Sequence, residues 1–201
     1  MRILLIGATG TIGQAIAAAF GTRHDVIPAS REKAHEKVDL SDPGSIRALL
    51  KRVGRVDAIV SAAGQAAFKP LGELSDADFA FSVGNKLMGQ VNLARFGMAS
   101  LADKGSVTLT SGVLAQQPIP GSAAISLVNS GLEGFGRAAA LEAPRGIRVN
   151  LVSPPWVTET VQAMGWPPVP GSLPAAVVAR AYVESVEGRM TGQVLKPATQ
   201  T

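Results

Sequence analysis

Arg2-Ile3-Leu4-Leu5-Ile6 runs straight into Gly7-Ala8-Thr9-Gly10-Thr11-Ile12-Gly13, and the reading of this junction decides the fold. Four consecutive branched aliphatics behave as a strand covered on both faces. Gly7 ends the run at once, and Gln14–Phe20 then sets Ile16, Ala19 and Phe20 on one side at helical spacing. Strand, glycine turn and helix make one βα unit. In that setting a G-x-x-G-x-x-G turn has a physical meaning: one glycine permits the tight turn, another lets backbone approach a pyrophosphate, and the last lets the helix lie close on the strand. The phosphates then face unpaired N–H groups at the positive end of the helix. Outside a strand–turn–helix context the same glycines would be only a packing turn.

The alternation continues along the chain. Strands are expected at Ile3–Ile6, Asp25–Ile27, Lys37–Leu40, Val56–Val60, Ser106–Thr110, Arg148–Val152 and Gln193–Leu195. Helical spacing recurs at Ser45–Val53, at Leu87–Leu101 and at Leu127–Leu141, and Ser75 followed by Asp76 and Asp78 reads as a capped helix start. The implied fold class is α/β: a single doubly wound parallel sheet, a Rossmann fold, with about seven strands and helices on both faces. The segment 154–174 carries six prolines together with Trp156, Trp166 and Met164. It is expected to form no regular structure and to act as a mobile, apolar flap within one domain spanning 1–201.

Composition narrows the function classes. The chain has 201 residues, 46% of them hydrophobic and 17% charged, which excludes intrinsic disorder. It has no cysteine, so disulfides, zinc–thiolate sites and thiol nucleophiles are excluded, and no metal site is read from the sequence. The net charge of +4 comes from scattered basic residues, and aromatics are only 4%, so nothing points to nucleic acid. No apolar stretch reaches the roughly 18 residues of a membrane span, and the first apolar run is too short for a signal peptide. A soluble, cytoplasmic protein is expected.

At the end of the second strand, where a carboxylate would hold a ribose 2′-hydroxyl, the chain reads Pro28-Ala29-Ser30-Arg31. A hydroxyl and a guanidinium suit a 2′-phosphate, so NADP(H) is favoured over NAD(H). The competing reading makes Arg31 a solvated surface residue.

These residues and several later ones resemble the short-chain dehydrogenase/reductase superfamily, over almost the whole chain to Leu195. Val38-Asp39-Leu40-Ser41-Asp42 is similar to the family's acidic turn, in which Asp39 would hold the adenine amino group with Leu40 beside it. Ser61-Ala62-Ala63-Gly64 resembles the Asn-Asn-Ala-Gly segment, with Ser61 in place of an asparagine. Val149-Asn150-Leu151-Val152-Ser153-Pro154 resembles the sixth strand and its end, the family's Pro-Gly being Pro154-Pro155. Val157 would then touch the nicotinamide carboxamide through its backbone. The resemblance implies hydride transfer between a nicotinamide and a carbonyl or alcohol of a small-molecule substrate. It also implies a symmetric dimer or tetramer through the two long helices.

The catalytic pattern departs from the family. The resemblance places Ile125 where the family has tyrosine and Asn129 where it has lysine, four residues on. Tyr182, the chain's one tyrosine, is expected to be a half-buried helix residue; His24 and His35 fall on the adenosine side. Ser111 is the expected serine, and a register shift by one would put Gly112 there instead. Lys86 stands where the family has asparagine, so lysine and asparagine are exchanged between neighbouring helices. The exchange reading has the Lys86 ammonium delivered from the opposite wall and partnered by the Asn129 amide. The plainer one has Lys86 in solvent and Asn129 capping a buried carbonyl. Two functions share every cofactor residue: an NADP(H)-dependent short-chain oxidoreductase with altered catalytic residues, and a catalytically silent dinucleotide-binding sensor. An isomerase or epimerase is disfavoured, because few of the residues after Gly64 are to spare for a sugar-binding domain.

Overall fold

The structure is a computed structural model that describes residues 1–198; residues 199–201, the end of the expected domain, lie outside the described residues. Seven strands form one parallel sheet in the order β3-β2-β1-β4-β5-β6-β7. They are β1 (Arg2–Ile6), β2 (Asp25–Ser30), β3 (Glu36–Lys37), β4 (Val56–Ser61), β5 (Leu101–Thr110), β6 (Arg148–Val152) and β7 (Val194–Leu195). Helices α1 (Thr11–Phe20), α2 (Pro43–Val53), α3 (Asp76–Ser82), α4 (Gly89–Gly97), α5 (Ala123–Glu142), α6 (Thr158–Ala163) and α7 (Ala175–Glu187) connect them. The chain winds outward from β1 to β3, then returns to pair β4 with the other side of β1. That reversal opens a crevice at the carboxyl ends of β1 and β4, the place where such sheets bind ligands. No helix among the described residues is long and apolar enough to cross a membrane.

Alternation along β1 sorts the core. Leu4 and Ile6 face one side with Ile59, Leu109 and Leu151, and pack against Ile46, Leu49, Leu93 and Leu132. Ile3 and Leu5 face the other side with Val60 and Val152, under Ile16, Phe20, Val178 and Tyr182. Both faces of the strand are therefore apolar, which is why its sequence is a continuous run.

Four expectations are corrected. Only Glu36–Lys37 pair as a strand; Val38 N still bonds the Ser30 carbonyl, but Asp39 turns away to accept from Ser41 N and Oγ, and Asp42 caps α2. Local Asp and Ser hydrogen bonds outcompete the ladder here. The expected helix Leu87–Leu101 ends at Gly97, and Leu101 already pairs with Val56 as the first residue of β5. It is preceded by a wide π-helical turn, Val83–Met88. The 154–174 segment is not wholly irregular: residues 156–166 lack proline, and α6 forms there. The segment is also tied down, with Leu173 N donating to Trp156 O, Thr158 N to Leu173 O, and Glu159 accepting from Ala175 N. Finally, Tyr182 is wholly buried, its hydroxyl 2.7 Å from Thr110 Oγ1.

Two glycines separate close packing from open space. A Cβ on Gly13 would lie 2.0 Å from the Gly7 carbonyl oxygen, whereas a Cβ on Gly134, in α5, would meet nothing. Urea unfolding should show Gly13→Ala less stable by about 2–3 kcal/mol. Gly134→Ala should be more stable by about 0.5–1 kcal/mol. Equal effects of the two would contradict the packing.

Candidate functional site

The crevice is a cleft of about 340 Å³. It brings together ten of the residues singled out in the sequence: Gly7, Thr9 and Gly10 from the first turn, Ser30 and Arg31 from β2, Asp39 and Leu40, and Ala62, Ala63 and Gly64 after β4. Ile6, Val38, Gln65 and Asn85 complete the lining; the sequence pointed to Ile6 and Val38 only as parts of strand or turn, and to Gln65 and Asn85 not at all.

Backbone bonds build the first turn. Gly7 N and Ala8 N donate to Ala29 O, and Gly10 N donates to Gly7 O. Gly7 has φ +81°, and a Cβ there would lie 2.6 Å from Ala62 O, so only glycine joins β1 to the β4 loop at this distance. Helix α1 starts at Gly10 with no side-chain cap and no acidic residue in its first turn. Its leading N–H groups thus keep their positive character for something outside the helix. Thr11, Ile12 and Gly13 do not line the cleft: Thr11 is exposed, Ile12 packs on the apolar face, and Gly13 lies under Gly7.

On the β2 side, Ser30 Oγ accepts from Lys33 N at 2.9 Å and Ala34 N at 2.7 Å, which shapes the following loop. Arg31 is exposed, with Nε 3.9 Å from Asp39 Oδ2. Hydrogen bonds from the Ser41 hydroxyl and N–H hold the Asp39 carboxyl below its usual range, and Arg31 adds to them. His24 sits at the other end of β2, bonded to Glu187 at 2.8 Å, and His35 is exposed; neither lines the cleft.

Past Gly64 the character changes. Gly64 has φ +127° and lies on Lys86, so close that a Cβ would come 3.0 Å from Lys86 Cγ. Gln65 N donates to Asn85 Oδ1 at 2.7 Å. Lys86 is buried, and its Nζ donates to the Ser111 carbonyl at 3.3 Å. Burial lowers its pKa to about 8. Asn129 faces Gly112 across 2.9 Å to that residue's Cβ position, and its Oδ1 is buried without a partner. Lys86 and Asn129 therefore both reach the loop after β5, but the expected bond between them is not made. Lys86 is not in solvent either, and Asn129, whose free group is an acceptor, caps no carbonyl.

Ser111 is buried, and its hydroxyl donates to Glu133 Oε1 at 3.0 Å. Gln116 Nε2 holds the other carboxylate oxygen at 2.5 Å, and Arg137 stands 3.9 Å away. Glu133 lies one turn after Asn129 on the same face of α5, and that i,i+4 spacing was the sequence signal for it. Gln90, also unanticipated, clamps the end of β5: it accepts from Thr110 N and donates to Thr110 O. Ile125 is a half-buried aliphatic one turn before Asn129. Tyr182 lies on the opposite face of the sheet, its hydroxyl pKa pushed up by burial. Pro154 O accepts from Val113 N, coupling the β5 and β6 loops, and Val157 buries its side chain in the core.

Comparison with known proteins agrees with this architecture. A family model described as enoyl-(acyl carrier protein) reductase matches residues 17–182. Among curated proteins, the oxidoreductase UcpA of Escherichia coli K12 is 28% identical over 180 residues, 77% of this chain and 68% of that protein. The hydroxynaphthalene reductase arp2 of Aspergillus fumigatus is 30% identical over 70% of this chain, which spans about half (54%) of that relative's length. Among solved structures, the protein lin1944 of Listeria innocua is 42% identical, covers 98% of this chain and 100% of its own, and superposes with a TM-score of 0.94. A small-chain dehydrogenase in complex with NADPH is 25% identical, with coverage of 98% and 95% and a TM-score of 0.86.

Lys86 gives the site a measurable signature. Its folded pKa of about 8 lies below the ordinary 10.5, so the unfolded chain binds the proton more tightly and the fold gains stability as pH rises between these values. At neutral pH the buried ammonium costs on the order of 3 kcal/mol. Lys86→Met should be more stable than the parent below pH 8, and that advantage should fade as the pH approaches 10.5. An advantage independent of pH in urea titrations would contradict the burial of a titrating amine.

Proposed function

Because the chain belongs to the short-chain dehydrogenase/reductase family, we propose that it is an NADP(H)-dependent oxidoreductase moving a hydride between nicotinamide and a small carbonyl or alcohol substrate. The observation that carries this reading is the uncapped start of α1 on the floor of the cleft. The residues fit a dinucleotide: beyond Gly10 there is open space, since a Cβ there would meet only Gly7 O at 3.5 Å, so an anion can approach the backbone closely. Gly7, Thr9 and Gly10, with the backbone of Thr11, Ile12 and Gly13, would hold the pyrophosphate. Asp39 and Leu40 would flank the adenine, and Ala62, Ala63 and Gly64 would carry the chain past the ribose. Pro154 and Val157 would border the nicotinamide end.

NADP(H) is favoured over NAD(H). Arg31 projects into the cleft mouth, and Ser30 has accepted two backbone bonds while its own hydroxyl proton remains to be donated. The guanidinium of Arg31 offers a fork that a phosphate fills better than a hydroxyl does. A structural neighbour is an NADPH complex, which supports the same preference.

When bound, the nicotinamide supplies or takes the hydride. The chain's own residues must then place a proton at the carbonyl oxygen. Lys86, with a pKa of about 8, exchanges its proton near neutrality, and Asn129 turns the Nδ2 end of its amide toward Gly112. Ser111, Lys86 and Asn129 thus form the altered catalytic set. Positioned proton transfer is worth about 10²–10⁴-fold in rate. The segment 154–174, held in place by its own hydrogen bonds, would line the substrate side, and Leu127 and Leu141, exposed on α5, would serve a dimer or tetramer.

A second reading, a silent dinucleotide-binding sensor, is favoured by one feature: the Ser111 hydroxyl is turned to Glu133, and Ile125 offers no acid. Calorimetry and reduced-nicotinamide absorbance separate the two. NADP⁺ should bind at least about tenfold more tightly than NAD⁺, and Arg31→Ala should erase that margin. NADPH oxidation with a carbonyl panel should fall at least about 100-fold in Lys86→Ala. Binding without turnover on any carbonyl would establish the sensor, and no binding of either coenzyme would refute both.

A further inference from the structure

Three aromatic rings from two separate loops meet beyond the Gly64 end of the cleft. Phe68 follows β4, and Trp156 and Trp166 follow β6. Their ring centroids lie 5.4 to 6.4 Å apart in edge-on and tilted contacts. The two chain segments that carry them flank the residues described above: Gln65, three residues before Phe68, lines the cleft, and Pro154, two residues before Trp156, is bonded to Val113 after β5. Burial should have hidden such rings, yet Phe68 and Trp166 remain 39% and 37% exposed, with Met164 at 49% beside Trp166 in sequence. Next to Phe68 is a second hollow of about 470 Å³, running from Phe68 to Leu71 and closed by Pro120 and Gly121 of the β5 loop. Its one charged lining residue, Lys69, is held by Asp78 at 2.8 Å and is not free to receive a substrate carboxylate.

We infer that Phe68, Trp156 and Trp166 form a substrate wall, and that the substrate is a planar, apolar, ring-bearing ketone or the corresponding alcohol. The inference rests on the oxidoreductase reading and gives it a substrate class. Aromatic faces and edges favour a flat carbon framework. A sugar or a small hydroxylated ketone needs several convergent polar groups, and the only ones on the wall's rings are two indole N–H donors. The reaction balances without another participant. The carbonyl carbon gains a hydride from NADPH and the carbonyl oxygen gains a proton, giving the alcohol and NADP⁺.

The chain supplies its own reporter, because its two tryptophans are both in the wall. The probe is 2-tetralone, a bicyclic ketone, compared with dihydroxyacetone. With NADP⁺ bound, 2-tetralone should change the tryptophan emission saturably, and dihydroxyacetone should not. NADPH-dependent kcat/KM should favour 2-tetralone by at least about 100-fold. Phe68→Ala, at an exposed position that keeps both reporters, should raise the KM for 2-tetralone about tenfold while the coenzyme Kd stays fixed; Phe68→Tyr should restore it. Should Phe68→Ala not fold, Trp166→Ala is the second variant, read by KM alone. Coenzyme binding with no emission change and no preference for 2-tetralone overturns the wall. So does a Phe68→Ala protein with unchanged KM, because a cluster that merely fastens two loops would behave that way. A saturable emission change without any coenzyme binding would keep the apolar site and discard the oxidoreductase reading.

Discussion

The carbonyl oxygen of Gly7 occupies the place that any side chain at residue 13 would need. This single close approach sets the rest. It draws α1 down against β1, sets the uncapped N-terminus of that helix at the crevice, and leaves Gly7, Thr9 and Gly10 lining it. With a Cβ at residue 13 the helix would have to move away, and its dipole would no longer bear on the cleft. The packing that seats the helix also presents the N–H groups that the proposed coenzyme site needs.

The rest of the sheet serves that junction by fixing its neighbours. β4 pairs with β1 in register from Ile3↔Ala58 to Ile6↔Ser61, which brings Ala62 against Gly7 and sets Gly64 on Lys86. β5 ends in a clamp from Gln90, and the carbonyl just beyond it receives the Lys86 ammonium. The Gly7–Asp39 side of the cleft is therefore held by backbone and short polar turns. The Gly64 side is held by buried side chains from α4, α5 and the π-helical turn before α4. Lys86 sits in that wider turn, which is how a lysine comes to lie under the β4 loop and not on the helix surface.

What the sequence disclosed follows from which forces act locally. The strands were legible because both faces of the sheet are covered, so Ile3–Ile6 of β1 is an unbroken apolar run, and β4 and β6 put aliphatic residues into both cores. The start of α3 was legible because Ser75 and Asp78 cap each other's backbone, a purely local bond pair. Ends governed by competition were less so: β3 stopped early because Asp39 bonds Ser41, and Leu101 left its helix for a strand because Gly97 fits against Ile59 and the chain must turn there. Side-chain partners across elements were illegible. Nothing in the sequence spacing says that the Ser111 hydroxyl donates a hydrogen bond to Glu133, or that Lys86 meets a carbonyl and not Asn129. Tyr182 was misjudged for the same reason, since the partner of its buried hydroxyl, Thr110, comes from β5 and not from its own helix.

An amide proton–nitrogen correlation spectrum recorded during NADP⁺ titration tests the role of the first turn most directly. The account predicts that the largest saturable shifts fall on the backbone amides of Gly10, Thr11, Ile12 and Gly13, with those of Gly134 on α5 and of Gly54, which ends α2 ahead of β4, unmoved. Saturation with NADP⁺ that leaves the residue 10–13 amides where they were would contradict it.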